Sequence, residues 1–296
     1  MTSDAPDGRD EVIAAVERIV RARVVRQRDV AGGYTFAVNR VAELSDGRTV
    51  FVKAAVDDMT RRWLRAEQRV YASIDGRFMP RCHGWEDAGA TVLVLEDLSA
   101  AAWPPPWTEG SVRAVLEALA EAHATPPPPG LPRPNDVDDL RGGWQTVAAD
   151  PGPFLSLAVC SPAWLAENLP ALLAASERAP LDGESLLHLD VASGNVCIKD
   201  GRCLLLDWSN AARGNPPLDT AIWLPSLHLE GGPEPDELTD RGLAELAAVF
   251  AGYLACRAGL PEPRSVPPPG VRPFQLAQLR IALPWAARCL DLPSPG

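Results

Sequence analysis

His188-Leu189-Asp190-Val191-Ala192-Ser193-Gly194-Asn195, followed twelve residues later by Asp207-Trp208, is the stretch whose reading decides the fold. Between Asn195 and Asp207 lie two apolar runs, Val196 to Ile198 and Cys203 to Leu206, separated by Lys199-Asp200-Gly201-Arg202. This reads as a β-hairpin with a glycine-containing turn. With Gly201 near the centre of the turn, antiparallel partners have residue numbers summing to about 402, give or take one. Asn195 then lies opposite Asp207. An amide oxygen and a carboxylate at the open end of a hairpin are hard oxygen donors of the kind magnesium prefers. Singly, Asp207 could cap a turn and Asn195 could satisfy backbone groups; the joint spacing points instead to a metal–phosphate site.

Asp190 precedes Asn195 by five residues, in the loop that leads into the hairpin. It is the candidate general base: a carboxylate that takes a hydroxyl proton while metal neutralises phosphate charge is the division of labour of phosphoryl transfer. His188 is read as holding this loop by hydrogen bonding rather than as titrating in the reaction.

Upstream, Val50-Phe51-Val52-Lys53-Ala54 alternates with period two, so Lys53 shares a strand face with Phe51. A mid-strand lysine can guard a sheet edge against aggregation. The following helical run supplies a different reason for it. Trp63, Leu64, Val70, Tyr71 and Ile74 form an apolar stripe with Glu67 in its middle. Pairing with Lys53 offsets the cost of burying that carboxylate and fixes an ammonium over a nucleotide's phosphates. Gly32-Gly33-Tyr34-Thr35, just before the strand pair that carries Lys53, can cover phosphates because glycine lets the backbone approach an anion. Glu96-Asp97-Leu98 closes the strand Thr91 to Leu95; it reads either as a hinge whose Glu96 and Leu98 backbone groups meet adenine or as an ordinary strand end.

The coarse order is strands first, then helices. A helix over Glu11 to Val24 precedes two β-rich runs, Tyr34 to Leu44 and Thr49 to Ala55, joined by Ser45-Asp46-Gly47. A helix follows over Asp57 to Ile74, and beyond Trp107 the chain is mostly helical up to the hairpin near 196–207. With 296 residues and 46% apolar content the chain can bury a sizeable core. The net charge of −11 argues against a nucleic-acid partner, whose phosphates demand a basic footprint, and tolerates a cationic substrate. No secretory signal or membrane span is visible, so the expected location is the cytoplasm. The six cysteines form no Cys-x-x-Cys pair and read as reduced thiols.

These residues together resemble the aminoglycoside phosphotransferase family, small-molecule kinases related to choline kinase and fructosamine kinase. The strongest segment is Leu187 to Ala221, where His188, Asp190, Asn195, Asp207, Trp208 and Asp219 fall at the family's spacing. The resemblance implies an α+β, protein-kinase-like two-lobed fold. Its small antiparallel-sheet N-terminal lobe would be residues 1–98, and its larger helical C-terminal lobe, with catalytic loop and acceptor site, residues 99–296. It implies ATP or another nucleoside triphosphate in the cleft, Asp190 as base and Asn195 plus Asp207 as Mg²⁺ ligands. Asp219 would be structural, holding the helix after the active site. Leu189 replaces the arginine of the protein kinases' His-Arg-Asp and stands where this family usually has glycine. Asp207-Trp208 stands for Asp-Phe-Gly, and no Ala-Pro-Glu follows, which favours a small-molecule acceptor over a protein.

Acceptor specificity is expected after Asp219, near Trp223, His228 and the acidic group Glu230, Glu234, Asp236 and Glu237. Carboxylates there would suit a cationic antibiotic such as an aminoglycoside, and a solvated loop is the blander reading. A metabolic kinase for a sugar or amino alcohol and a nucleotide-binding pseudokinase are the alternatives; the intact Lys53, Glu67, Asp190, Asn195 and Asp207 argue against the last.

Overall fold

A computed structural model describes residues 8–30, 37–239, 241–264 and 270–296. Its N-terminal part runs α1 (Gly8–Val20), β1 (Val24–Asp29), β2 (Val38–Leu44), β3 (Thr49–Ala54), α2 (Asp58–Ser73), β4 (Cys82–Glu86) and β5 (Val92–Glu96). The strands form one antiparallel sheet in the order β1-β2-β3-β5-β4. Its inner strands alternate clearly: Val50, Val52 and Ala54 of β3 are buried on one face, where Val12, Ala15 and Val16 of α1 cover them. The other face, carrying Phe51 and Leu93, turns toward the rest of the molecule.

Two expectations change here. The helix expected to reach Val24 ends at Val20, because Val24 opens an edge strand. That strand, β1, and the opposite edge strand, β4, lack a fully buried residue and therefore carry no alternating apolar signal. The β-rich run expected from Tyr34 begins, among the described residues, at Val38.

The remainder is mainly helical: α3 (Glu109–Ala124), α4 (Pro134–Val137), α5 (Gly143–Ala149), α6 (Gly152–Leu155) and α7 (Pro162–Arg178). Short strands β6 (Ser185–Leu187), β7 (Val196–Lys199), β8 (Arg202–Leu205) and β9 (Ala212–Gly214) follow, then α8 (Pro217–Leu229), α9 (Pro235–Leu238), α10 (Ala244–Ala258) and α11 (Arg272–Cys289). Helix α10 sits centrally, packed on α5, α7, α8 and α11, and nearly all of its middle residues are buried. The strand β6 pairs with β9 across the base of the catalytic loop, a ladder too short to leave a sequence signal.

The expected hairpin is β7–β8. Its loop is the two residues Asp200 and Gly201, with φ of 51° and 74°, the left-handed pair of a type I′ turn. Val196 faces Leu205 and Lys199 faces Arg202, so partner numbers sum to about 401, and Asn195 meets Leu206 rather than Asp207. The Leu206 N–H donates to the Asn195 carbonyl at 2.8 Å. Asp207 is thus the first residue beyond the ladder.

Candidate active site

Strand β3 is internal to the sheet, which removes the edge-guard explanation of Lys53. Helix α2 is started by a capping box between Asp57 and Thr60 and presents Leu64, Glu67, Val70 and Tyr71 to the interior. Glu67, 1% exposed, accepts both bonds of a bidentate contact from Lys53 Nζ, at 2.9 and 2.8 Å. Asp207 Oδ2 lies 3.5 Å from the same ammonium. Burial disfavours the charged lysine, but Asp207 and Glu67 outweigh it and hold Lys53 above the ordinary lysine range. Burial pushes Glu67 up to about 7 against the pull of Lys53. Asp207 stays low: burial is its largest influence, and Lys53, Ser209 and His188 together overcome it.

The catalytic loop is gripped from behind by Asp219, fully buried near the start of α8. Its Oδ2 accepts from the His188 N–H and contacts His123 Nε2, both at 2.9 Å, and its Oδ1 accepts from the Leu189 N–H at 2.7 Å. It therefore holds the loop as well as the helix on which it sits. Leu189 has φ of 60°, a left-handed conformation that explains why glycine suits this position. Replacing Asp219 by alanine strands one buried and one part-buried N–H group, and an equilibrium urea titration should show a loss of about 2–5 kcal/mol. His188 is a structural residue. Its Nε2–H donates to the Leu206 carbonyl at 2.8 Å, its Nδ1 accepts from the Asp190 N–H at 3.3 Å, and burial lowers its pKa toward the neutral imidazole.

Asp190 is partly buried in the loop: burial, then the charge of Asp207, pushes its carboxyl up to about 7, opposed by the Asn195 amide and Lys53. Asn195 Nδ2 donates to the Asp190 carbonyl at 2.8 Å. Its amide oxygen is thereby oriented away from the loop backbone.

Two cavities meet at this loop. One, of about 530 Å³, is bounded by Phe51, Lys53, Leu95, Asn195, Leu206 and Asp207. Glu96 and Leu98 line it as expected, together with Arg28 and Trp103, which had no sequence motif to mark them. The Leu98 carbonyl already accepts from the Ala101 N–H and Trp103 Nε1, so its N–H is the backbone group left to face a ligand. The Glu96 side chain pairs with Lys199 and turns away from that role. Gly32, Gly33, Tyr34 and Thr35 lie outside the described residues.

The second cavity, of about 360 Å³, has Asp190 in its wall with Trp63, Asp138, Tyr253, Phe274 and Gln278. Of the region expected to set acceptor specificity, the named residues lie elsewhere. Trp223 is fully buried and packs edge-on against Trp107. Glu230 accepts from Ser193 Oγ and from Trp107 Nε1, bracing the catalytic loop. His228 engages the Gly232 carbonyl, and Asp236 pairs with Arg288. None of this acidic group lines the cavity. Its walls come from α2, α4, the catalytic loop, Ile222 of α8, α10 and α11, residues scattered along the chain without a shared spacing.

A five-stranded antiparallel sheet ahead of a helical part, with an ion-paired lysine and an aspartate–asparagine loop between two cavities, defines a protein-kinase-like small-molecule phosphotransferase. The chain belongs to the phosphotransferase enzyme family, whose model matches residues 26–258. Among solved structures it is similar to a choline/ethanolamine kinase family protein from Mesorhizobium loti, with 16% identity, 96% of this chain and 98% of that one covered, and a TM-score of 0.63. A spectinomycin phosphotransferase in complex with ADP and spectinomycin gives 11%, 96%, 98% and 0.59, and a type I macrolide 2'-phosphotransferase 19%, 98%, 94% and 0.54. At these identities the likeness is one of fold. No curated protein matches the sequence. Among the described residues no helix is long and apolar enough to cross a membrane.

Proposed function

We propose that this chain is an ATP- and magnesium-dependent kinase that phosphorylates a hydroxyl of a small molecule, with residues 1–98 as its nucleotide lobe and 99–296 as its acceptor lobe. The observation that carries this reading is the partition made by the catalytic loop: Asp190 lines one cavity, while Lys53, Asn195 and Asp207 line the other. The ADP in the spectinomycin phosphotransferase supports a nucleotide in the latter.

In this reading Lys53, fixed by Glu67, holds the phosphates, and the Leu98 N–H with the Glu96 carbonyl holds the base. Asp190 accepts the proton of the attacking hydroxyl, and a carboxyl near 7 is matched to that task at neutral pH. The donor set of Asp207 and Asn195, one carboxylate and one amide oxygen, fits a magnesium ion that takes its other ligands from phosphates and water. When bound there, magnesium supplies neutralisation of the phosphate charge. Among the described residues no cluster of three or more His, Cys, Asp or Glu forms an all-protein metal site, in keeping with a cation held jointly with its nucleotide.

Asp207→Ala should therefore weaken ATP binding in magnesium by about tenfold or more while leaving binding in EDTA little changed, read by calorimetry with and without metal. An unchanged metal titration removes Asp207 from this role. The reading as a whole is tested by an ATP-consumption screen, with magnesium, across aminoglycosides, macrolides, sugars and amino alcohols. Acceptor-dependent consumption supports it; ATP binding without turnover on any acceptor returns the pseudokinase.

A further inference from the structure

Resting on that kinase reading, we infer that the acceptor is an uncharged, ring-bearing hydroxyl compound, recognised through Gln278 and an aromatic wall, and not a polyamine. The second cavity has two carboxylates in its described wall, Asp138 and Asp190. Asp138 is already engaged in an ion pair. Its Oδ1 accepts from Arg257 Nη2 at 2.5 Å and from the Asp139 N–H at 3.0 Å. Arg257 in turn lies 4.0 Å from the centroid of the Tyr253 ring, so a fixed cation already occupies that aromatic face. A polyamine entering here would meet Asp190 and a second aspartate that Arg257 already neutralises.

The remaining lining suits a different ligand. Trp63 and Phe274 are half-buried rings in the wall, and Phe250 stacks on Tyr253 with centroids 6.0 Å apart. Such faces take the apolar side of a ring. Gln278, on α11, is only 8% exposed and lines the cavity, yet its side chain has no hydrogen-bond partner among the described residues. Its neighbour Gln275 is engaged, accepting from Arg272 Nη1 at 2.7 Å. Its amide is therefore free to meet a ligand in the cavity, and an amide pairs with hydroxyl or carbonyl groups, not selectively with ammonium. The volume, about 360 Å³, lies near the low end of the range of about 300–1,000 Å³ for ligand pockets.

The test is calorimetric binding to the full chain saturated with magnesium and a non-hydrolysable ATP analogue. Uncharged ring alcohols (phenyl β-glucopyranoside, myo-inositol and uridine) are compared with kanamycin and spermidine. The expected result is an uncharged binder at least about tenfold tighter than either polyamine, and a loss of about tenfold for that binder in Gln278→Ala with analogue affinity unchanged. Tighter binding of kanamycin or spermidine, no uncharged binder, or a Gln278→Ala variant that binds the uncharged ligand normally overturns the inference. Failure to bind the ATP analogue is a separate result and counts against the kinase reading itself.

Discussion

Asp190→Ala is expected to lower turnover by on the order of 10² to 10⁴ while ATP affinity stays near that of the wild type. The reason is the side of the loop on which it lies: Asp190 lines the second cavity, the acceptor side in the proposed reading, and the groups lining the first cavity are untouched by its removal. Wild-type turnover in this variant would take Asp190 out of the base role. The pH profile carries the same signature. Only the ionised carboxylate accepts a proton, so kcat/KM should rise with pH through about 7, the value to which burial and Asp207 push this group.

The same shift acts on stability with the opposite sign. A carboxyl raised in the folded state binds its proton more tightly there than in the unfolded chain, so its contribution is full at low pH and is lost as pH rises through about 7. Asp190→Asn removes the ionisation and should melt higher than the wild type at pH 8, with the gap closing toward pH 5. A variant that loses turnover and gains stability is the mark of a charge kept buried for its chemistry.

Lys53→Met should be the most destabilising change at the site, by about 3–5 kcal/mol at pH 8. Glu67 is 1% exposed and its carboxylate is matched at 2.8 and 2.9 Å by one ammonium; without it, the charge is buried unpaired. Glu67, already pushed up by burial, then moves further up and is protonated on folding. Stability retained by that protonation is lost as pH rises, so urea titrations should show a smaller deficit at pH 5 than at pH 8. An equal deficit at both would mean that the lysine stem's packing, not its charge, is what matters. The double variant Lys53→Met, Glu67→Leu should recover much of the loss without recovering activity.

What was legible in the sequence follows from what each residue must satisfy locally. Lys53 and Glu67 were readable because each breaks an apolar pattern that the other explains, and β3 and α2 are regular enough to show such a break. The β7–β8 hairpin announced itself through Gly201, and only the two-residue length of its turn moved the register by one. The edge strands β1 and β4 were missed because half-exposed strands need no alternation. The second cavity was not legible for another reason. Asp138, Tyr253 and Gln278 come together only when α4, α10 and α11 pack, and no spacing along the chain encodes that meeting. Acidic residues near Glu230 drew attention by composition, whereas in three dimensions Glu230 braces Ser193 and Trp107.

The most direct test of the central claim is the mass of the acceptor after incubation with ATP, magnesium and either the wild-type chain or Asp190→Ala. The kinase account predicts that an acceptor gains one phosphoryl group with the wild type, in step with ADP formed, and that this gain nearly vanishes with the variant. Equal phosphorylation by both, or ADP formation with no phosphorylated acceptor, would contradict it.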